Sequence, residues 1–280
     1  MQPAMSTGYL NDQSPEEMTQ TFADRQWFHL EMASEHAEVL LERGDPAAVG
    51  RTMRTFAESR GVSFPQGHLW ISCHLCAYNG ALVLDKLRRW LDLFVALGIR
   101  AAVLHPGGGR ELAREGASPE AIQSVRSERL AILCDHVRGT DLSICLENMT
   151  GGVGANIDGL LAIIADVDRP NLGICLDTGH LNLTGGDQAG FIVAAGSRLR
   201  ATHIADNAGQ SDLHIMPFGL GTVDWGTVMR SLGAIEYKGL LNFEIGRETD
   251  HCPLVLRMAK LDYLAKMMDY LVQLAGPTDR

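Results

Sequence analysis

Carboxylates and imidazoles recur in this sequence beside short apolar runs. The segments are Leu104-His105-Pro106-Gly107, Leu146-Glu147-Asn148, Leu176-Asp177-Thr178-Gly179-His180, Thr202-His203-Ile204-Ala205-Asp206-Asn207, Asp212-Leu213-His214 and Phe243-Glu244, with His74 further upstream. Oxygen and imidazole donors together are the usual ligands of a divalent metal ion. A carboxylate in such a setting can also take or return a proton. Taken singly, each residue reads as a helix cap or a solvated loop side chain. Their repetition at the same end of six apolar segments favours a shared site.

These side chains act together only if the backbone gathers the segment ends. Eight strand-like runs alternate with helix-like stretches: Gln2–Thr7, Trp27–Met32, His68–His74, Arg100–His105, Leu142–Glu147, Leu172–Asp177, Leu199–Ile204 and Leu240–Ile245. The clearest helices are Leu82–Leu97, Pro119–Val137, Ile157–Val167 and Leu254–Leu274. Ser14-Pro15, Asp45-Pro46 and Ser118-Pro119 are start signals, and Gly61 and Gly98 are stop signals. Such alternation specifies an α/β protein with a parallel sheet. Eight repeats in 280 residues favour a single (β/α)8 TIM barrel over an open doubly wound sheet. No linker divides the chain, so residues 1–280 read as one barrel domain.

Alternate strand residues face opposite sides. Leu142, Ile144 and Leu146 oppose Ser143, Cys145 and Glu147; Leu172, Ile174 and Leu176 oppose Gly173, Cys175 and Asp177; Leu241, Phe243 and Ile245 oppose Leu240, Asn242 and Glu244. The bulky face suits packing on helices. The small or polar face suits the lumen and ends in a carboxylate. Ala101, Val103 and His105 follow the same rule, as do Ala201 and His203. In barrels the C-terminal strand ends carry the chemistry.

Composition narrows the classes. Hydrophobic residues make up 46% and charged residues 21%, which is ordinary for a soluble globular protein. The net charge of -10 argues against a nucleic-acid partner, because a face that grips a polyanion is basic. No apolar run is long enough to span a bilayer, and Met1–Asp12 lacks the basic-then-apolar pattern of a leader, so a cytoplasmic protein is expected. The six cysteines, among them the Cys73-x-x-Cys76 pair, form no disulfide framework and read as reduced, mostly buried thiols.

The strand-end motifs resemble those of the xylose-isomerase-like superfamily of barrels, which includes sugar and sugar-phosphate isomerases and epimerases and the zinc apurinic endonucleases. The resemblance covers nearly the whole chain and is weakest over the first two strands. Asp177-x-x-His180 and His203-x-x-Asp206-Asn207 are its most specific motifs. It implies one divalent ion (manganese, magnesium, cobalt or zinc) held by Glu147, Asp177, His203 and Glu244, with His180 touching a substrate oxygen. The endonuclease members use a larger, three-zinc set. Its candidates here are His74, His105, Glu147, Asp177, His180, His203, Asp212, His214 and Glu244. A multinuclear zinc site and a phosphodiesterase activity are therefore the alternative. Many isomerase-like relatives keep Asp212-x-His214 as well, so that motif does not decide.

Under the first reading the substrate is a small sugar or sugar phosphate. A metal chelating its carbonyl oxygen and a neighbouring hydroxyl would stabilise the enediolate left by proton abstraction. Glu147 and Glu244, on strands five and eight, would be the catalytic proton carriers. Return of the proton to the opposite face is epimerisation; return to the neighbouring carbon is aldose–ketose isomerisation. His74, His105, His180, Asp212, His214 and Arg247 are the substrate-binding candidates, Arg247 being placed for an anionic group. His180 either bonds a substrate hydroxyl or orients Asp177. Asp212 and His214 line the pocket, bind a second metal or brace their loop. Glu31 is a further pocket candidate, Gly107-Gly108-Gly109 with Arg110 is a phosphate-accepting or merely flexible loop, and Trp225 and Met267-Met268 read as packing. A homodimer is the expected assembly.

Overall fold

The computed structural model describes residues 1–276. The strands are β1 (Gln2–Ser6), β2 (His29–Met32), β3 (Ser63–His68), β4 (Ala101–Leu104), β5 (Ser143–Glu147), β6 (Leu172–Asp177), β7 (Leu199–His203) and β8 (Leu240–Phe243). Between and after them lie α1 (Pro15–Asp24), α2 (Ser34–Leu41), α3 (Pro46–Glu58), α4 (Gly80–Leu97), α5 (Arg110–Arg114), α6 (Pro119–His136), α7 (Ile157–Val167), α8 (Thr178–Leu183), α9 (Gln188–Ala195), α10 (Trp225–Ala234) and α11 (Leu254–Leu274). Three crossovers carry two helices each, so the one-helix-per-strand expectation is exceeded.

Local chemistry starts the helices where the sequence indicates. Ser14, Asp45 and Ser118 each accept a backbone N–H three residues on, with proline at the first helical position. Gly98 closes α4 at φ 84°, a left-handed conformation that costs glycine little. On α4, Val83, Leu87, Trp90, Leu91, Phe94 and Leu97 are buried, a helical spacing that turns one stripe to the sheet. Each such side chain contributes roughly 1.5–3 kcal/mol on burial.

All neighbouring strands pair in parallel, in the order β7-β6-β5-β4-β3-β2-β1-β8. The ring closes between β7 and β8 through one bridge, Ile204 to Phe243. Two hydrogen bonds support it, from Ile204 N to Asn242 O (2.7 Å) and from Glu244 N to Ile204 O (3.2 Å). The result is a single (β/α)8 TIM barrel.

Two apolar layers follow the strand alternation. Leu142, Ile144, Leu146, Leu172, Ile174 and Leu176 join the large core shared with the helices. Ala101, Val103, Cys145, Cys175 and Ala201 form a separate small cluster, which fills the lumen. Small side chains there leave space above them for polar groups. The cysteines are unpaired, and all but Cys252 are buried.

One strand departs from expectation. The third strand is Ser63–His68 and not His68–His74. Propensity points to the apolar run after His68 because Ser-Phe-Pro-Gln-Gly-His carries a proline and a glycine, both poor strand residues. The proline is tolerated at an irregularity: His29 and Glu31 of β2 face Ser63 and Gln66, so β3 holds one extra residue there. His68, not His74, therefore stands at the strand end.

The segment after β7 folds back over the barrel mouth. The buried Asp206 carboxylate accepts from the backbone of Asn207 (2.8 Å) and Val223 (3.1 Å) and from Trp225 Nε1 (2.8 Å). Trp225 is thus both packing and anchor. A Cβ on Gly221 would lie 2.0 Å from Asp206 Cγ, so the glycine admits the carboxylate. Gly221→Ala is expected to destabilise the protein by about 1–3 kcal/mol through overpacking, read as a lower urea midpoint. An unchanged midpoint would show that this carboxylate does not pin the loop.

Candidate metal centre

His203 ends β7 with its ring fully buried. Its Nδ1 lies 3.1 Å from Glu147 Oε1, 3.1 Å from Glu244 Oε2 and 3.9 Å from Asp177 Oδ2. These side chains come from the ends of β5, β6 and β7 and from the residue after β8. Adjacent parallel strands in register bring them together: Glu147 faces Cys175, and Asp177 faces His203.

The other ring nitrogen is held from below. His203 Nε2 lies 2.9 Å from Glu31 Oε1. Glu31 is fully buried at the β2 end and also accepts from Gln66 Nε2 (3.2 Å) and Asn242 Nδ2. With Nε2 donating to Glu31, Nδ1 faces the three carboxylates.

Three further rings repeat this arrangement. His68 Nδ1 is 2.7 Å from Leu69 O, His180 Nδ1 is 2.9 Å from Asn148 O, and His214 Nδ1 is 2.9 Å from Glu244 O. Each Nε2 then points at a carboxylate: His68 at Glu147 Oε2 (3.3 Å), His180 at Asp212 Oδ2 (3.2 Å) and His214 at Asp212 Oδ1 (3.1 Å). His105 Nε2 also approaches Glu147 Oε2, at 3.2 Å. Rings whose far nitrogen is fixed by a carbonyl or carboxylate are oriented as metal ligands commonly are.

Three donor groups result: Glu147, Asp177, His203 and Glu244; His68, His105 and Glu147; and Asp177, His180 and His214. Within each, the donor atoms lie within 4.8 Å of one another. Glu147 Oε2, Asp177 Oδ2 and Asp212 Oδ1 are buried without a hydrogen-bond partner, although ring nitrogens lie close to each of them. They converge without donor–acceptor alignment, as ligands of a shared cation do. These residues fit a divalent ion.

The electrostatics of the cluster agree. Burial alone would raise the Glu147 carboxyl, but the His203 charge and hydrogen bonds from His105, His180 and His203 hold it well below 4.5. Burial also acts to raise Glu244, and His203 and His214 bring it down to about 2. Asp177 goes the other way: burial, helped by the neighbouring Glu147 and Glu244 charges, raises it against the pull of His180 and His214. On the rings, burial opposes protonation, yet Glu147 lifts His68 to about 9, and Asp212 with Glu244 and Asp177 lifts His214 to about 10. His203 is lifted well above 6.5 against burial by Cys175, Glu244, Glu31 and Glu147. The pocket calls for positive charge, which protons supply when no ion does.

The structure thus brings together Glu147, Asp177, His203, Glu244, His105, His180, Asp212 and His214. Both ring nitrogens of His180 are engaged, with Asn148 and Asp212, and its backbone N–H donates to Asp177 Oδ1 (2.6 Å). His74 is exposed in the loop after β3, in a cleft beside His105. Arg247 is exposed at the rim of the cleft that reaches Asp212, His214 and Glu244, 3.9 Å from Asp250. His68, which reads as the start of a strand, and Asn148, which reads only as part of the Leu146-Glu147-Asn148 motif, are given no role at the site from the sequence. The signal for His68 was its place on one face with Gln66, ending in an imidazole as β7 does. Asn148 pins the β5 and β6 ends, donating to Asp177 O (2.8 Å) and accepting from Asp177 N (2.7 Å).

Comparison with known proteins places this arrangement in context. The profile of the xylose isomerase-like TIM barrel family matches residues 44–273. A crystal structure of a D-psicose 3-epimerase superposes with a TM-score of 0.79 at 18% identity, covering 99% of this chain and 100% of that one. An L-ribulose 3-epimerase of a Methylomonas species is 29% identical over 163 residues, 57% of this chain and 54% of the relative. A probable endonuclease 4 of Ureaplasma parvum is 34% identical over 94 residues, 32% of this chain and 29% of that one. The chain spans about half the length of curated relatives such as the L-ribulose 3-epimerase.

Removing the partner beneath His203 should be felt at the metal. Glu31→Gln is expected to lower divalent-metal affinity about 10- to 100-fold, measured by competition with a chromogenic chelator. Wild-type affinity in this variant would mean that Glu31 does not orient the ligand.

Proposed function

Given that the chain belongs to the xylose isomerase-like TIM barrel family, we propose that it is a divalent-metal-dependent isomerase or epimerase of a sugar or sugar phosphate. The observation that carries this reading is the convergence of Glu147 and Glu244 on His203 Nδ1, both at 3.1 Å, from β5 and from the end of β8. Glu147, Asp177, His203 and Glu244 would hold the ion. Bound there, it would draw electron density from a substrate carbonyl and so acidify the neighbouring C–H.

The protein's own groups then divide the work. One of the two glutamates takes the proton next to the carbonyl. The other delivers a proton to the opposite face of the same carbon, which inverts it. Delivery to the neighbouring carbon would give aldose–ketose exchange. His203, fixed by Glu31, and Asp177, fixed through its backbone by Asn148, keep the carboxylates in place. The name of the Methylomonas relative, an L-ribulose 3-epimerase, supports a ketose as substrate.

A second reading has its own observation. The His68–His105 group and the His180–Asp212–His214 group supply imidazole-rich donors beyond the four-residue centre, and imidazole favours zinc. A three-zinc phosphodiesterase of the apurinic endonuclease type would use them all, with His68 in the position first assigned to His74.

Two measurements decide. Elemental analysis of protein purified without chelator is expected to give one ion per chain; two or three zincs, with cleavage of abasic DNA, would establish the second reading. Metal-loaded protein in deuterated water should place deuterium beside the carbonyl of a turned-over ketose. Glu147→Gln and Glu244→Gln should each slow that exchange about 10²- to 10⁴-fold while circular dichroism stays unchanged. Exchange at the wild-type rate in both variants would remove the glutamates from the chemistry.

A further inference from the structure

Two clefts reach the cluster, and their charges differ. The cleft that meets Glu244 and His214 is also lined by Asp12, Glu35, Asp212 and Asp250, and its two arginines face carboxylates, Arg247 near Asp250 and Arg257 on Asp12. The other, of about 690 Å³, runs between the loops after β3, β4 and β5 and reaches His105. It is lined by Arg110, Arg114 and Arg126 and by one carboxylate, Glu111, whose Oε2 accepts from Tyr78 N at 3.3 Å.

Arg126 is the informative member. It is 6% exposed. Its Nε donates to Pro106 O (2.8 Å) and its Nη1 to Gln123 Oε1. Among the described residues no carboxylate lies within 4.0 Å of Arg126, Arg110 or Arg114. These two bonds go to neutral oxygens, so they engage two of the guanidinium's five N–H groups and leave its charge uncompensated, which is costly in a buried position. In a chain of net charge -10, three arginines without carboxylates around one cleft are not a random surface.

The cleft walls are also fixed and close-fitting. Arg129 Nη1 ties down Leu75 O (2.6 Å) and Ala77 O (2.7 Å). Gly108 has φ +106°, and a Cβ there would lie 3.0 Å from Cys76 N, so only glycine lets the two loops touch. A Cβ on neighbouring Gly107 would meet nothing within 4 Å, which leaves its backbone open to a ligand.

We propose that this cleft is an anion subsite, and that the substrate is a sugar carrying a phosphate monoester or a carboxylate at the end remote from the reacting carbon. The inference rests on the sugar isomerase or epimerase reading for the identity of the rest of the ligand. The subsite itself does not. Guanidinium groups bind both anions through paired N–H donors, and they give a ligand that spans from His105 towards Glu147 one fixed orientation.

Two experiments test it on the full chain with its metal. In the first, titration calorimetry compares D-fructose, D-fructose 6-phosphate and D-fructuronate. At least one anion is expected to bind tenfold or more tighter than D-fructose, and the tighter one identifies the group. That ratio should fall at least tenfold in Arg110→Ala/Arg114→Ala and in Arg126→Met, and Arg126→Lys should restore part of it. In the second, inorganic phosphate is expected to protect Arg110 and Arg114 from phenylglyoxal, mapped by mass spectrometry; this readout needs no sugar recognition. Protection without any ketose turnover would keep the subsite and sink the sugar reading. Turnover of ketoses with no anion preference and no protection overturns the subsite, as does a preference that survives in the double variant.

Discussion

Buried like charges at close range set the terms for this molecule. Glu31, Glu147 and Asp177 have almost no contact with water, Glu244 has little, and all four crowd one imidazole. Carboxylates in such a setting repel one another, and desolvation penalises each. The arrangement holds only because cationic groups are supplied to it. Five histidines approach these carboxylates or Asp212, and the carboxylates raise the proton affinity of most of those rings. A divalent ion would satisfy the same demand with more charge in less space.

The barrel is built so that this demand is met at one depth. Small residues fill the lumen below, bulky ones turn outward to the helices, and the strand ends lift ligands to a common level. Fixing the rings falls to groups that never meet a ligand. Leu69 O, Asn148 O, Glu244 O and Glu31 each take one ring nitrogen and so aim the other. Asp206 does the same for a whole loop, tying Val223 and Trp225 to the β7 end so that Asp212 and His214 stay over the mouth.

Much of this could be read from residue order. Strand-and-helix alternation and the alternating faces of β5 and β6 led to the barrel, and the carboxylate after each apolar run led to the centre. The capping pairs Ser14-Pro15 and Ser118-Pro119 fixed helix starts to the residue. What was hidden was hidden for physical reasons. Ser63–His68 breaks the composition of a strand with Pro65 and Gly67, and only the extra residue opposite β2 makes room for the proline. Hence His68 reads as the start of a strand instead of its end, and His74 takes its place. Glu31 could be noticed but not ranked, since its value comes from Gln66, Asn242 and His203, three residues far apart in the chain. Arg126 looked like any arginine on an amphipathic helix, because the absence of a carboxylate is a property of space and not of order.

The closing edge of the barrel has a meaning of its own. Between β7 and β8 the ladder shrinks to one bridge at Ile204 and Phe243, and the residues beside it are His203 and Glu244. Two donors of the four-residue centre thus stand on either side of the barrel's thinnest join. An ion gripping both would act as a clasp across that join. Release of the ion and parting of the two strands would then be linked equilibria, each favouring the other. An ion held there would thus also lock the barrel shut.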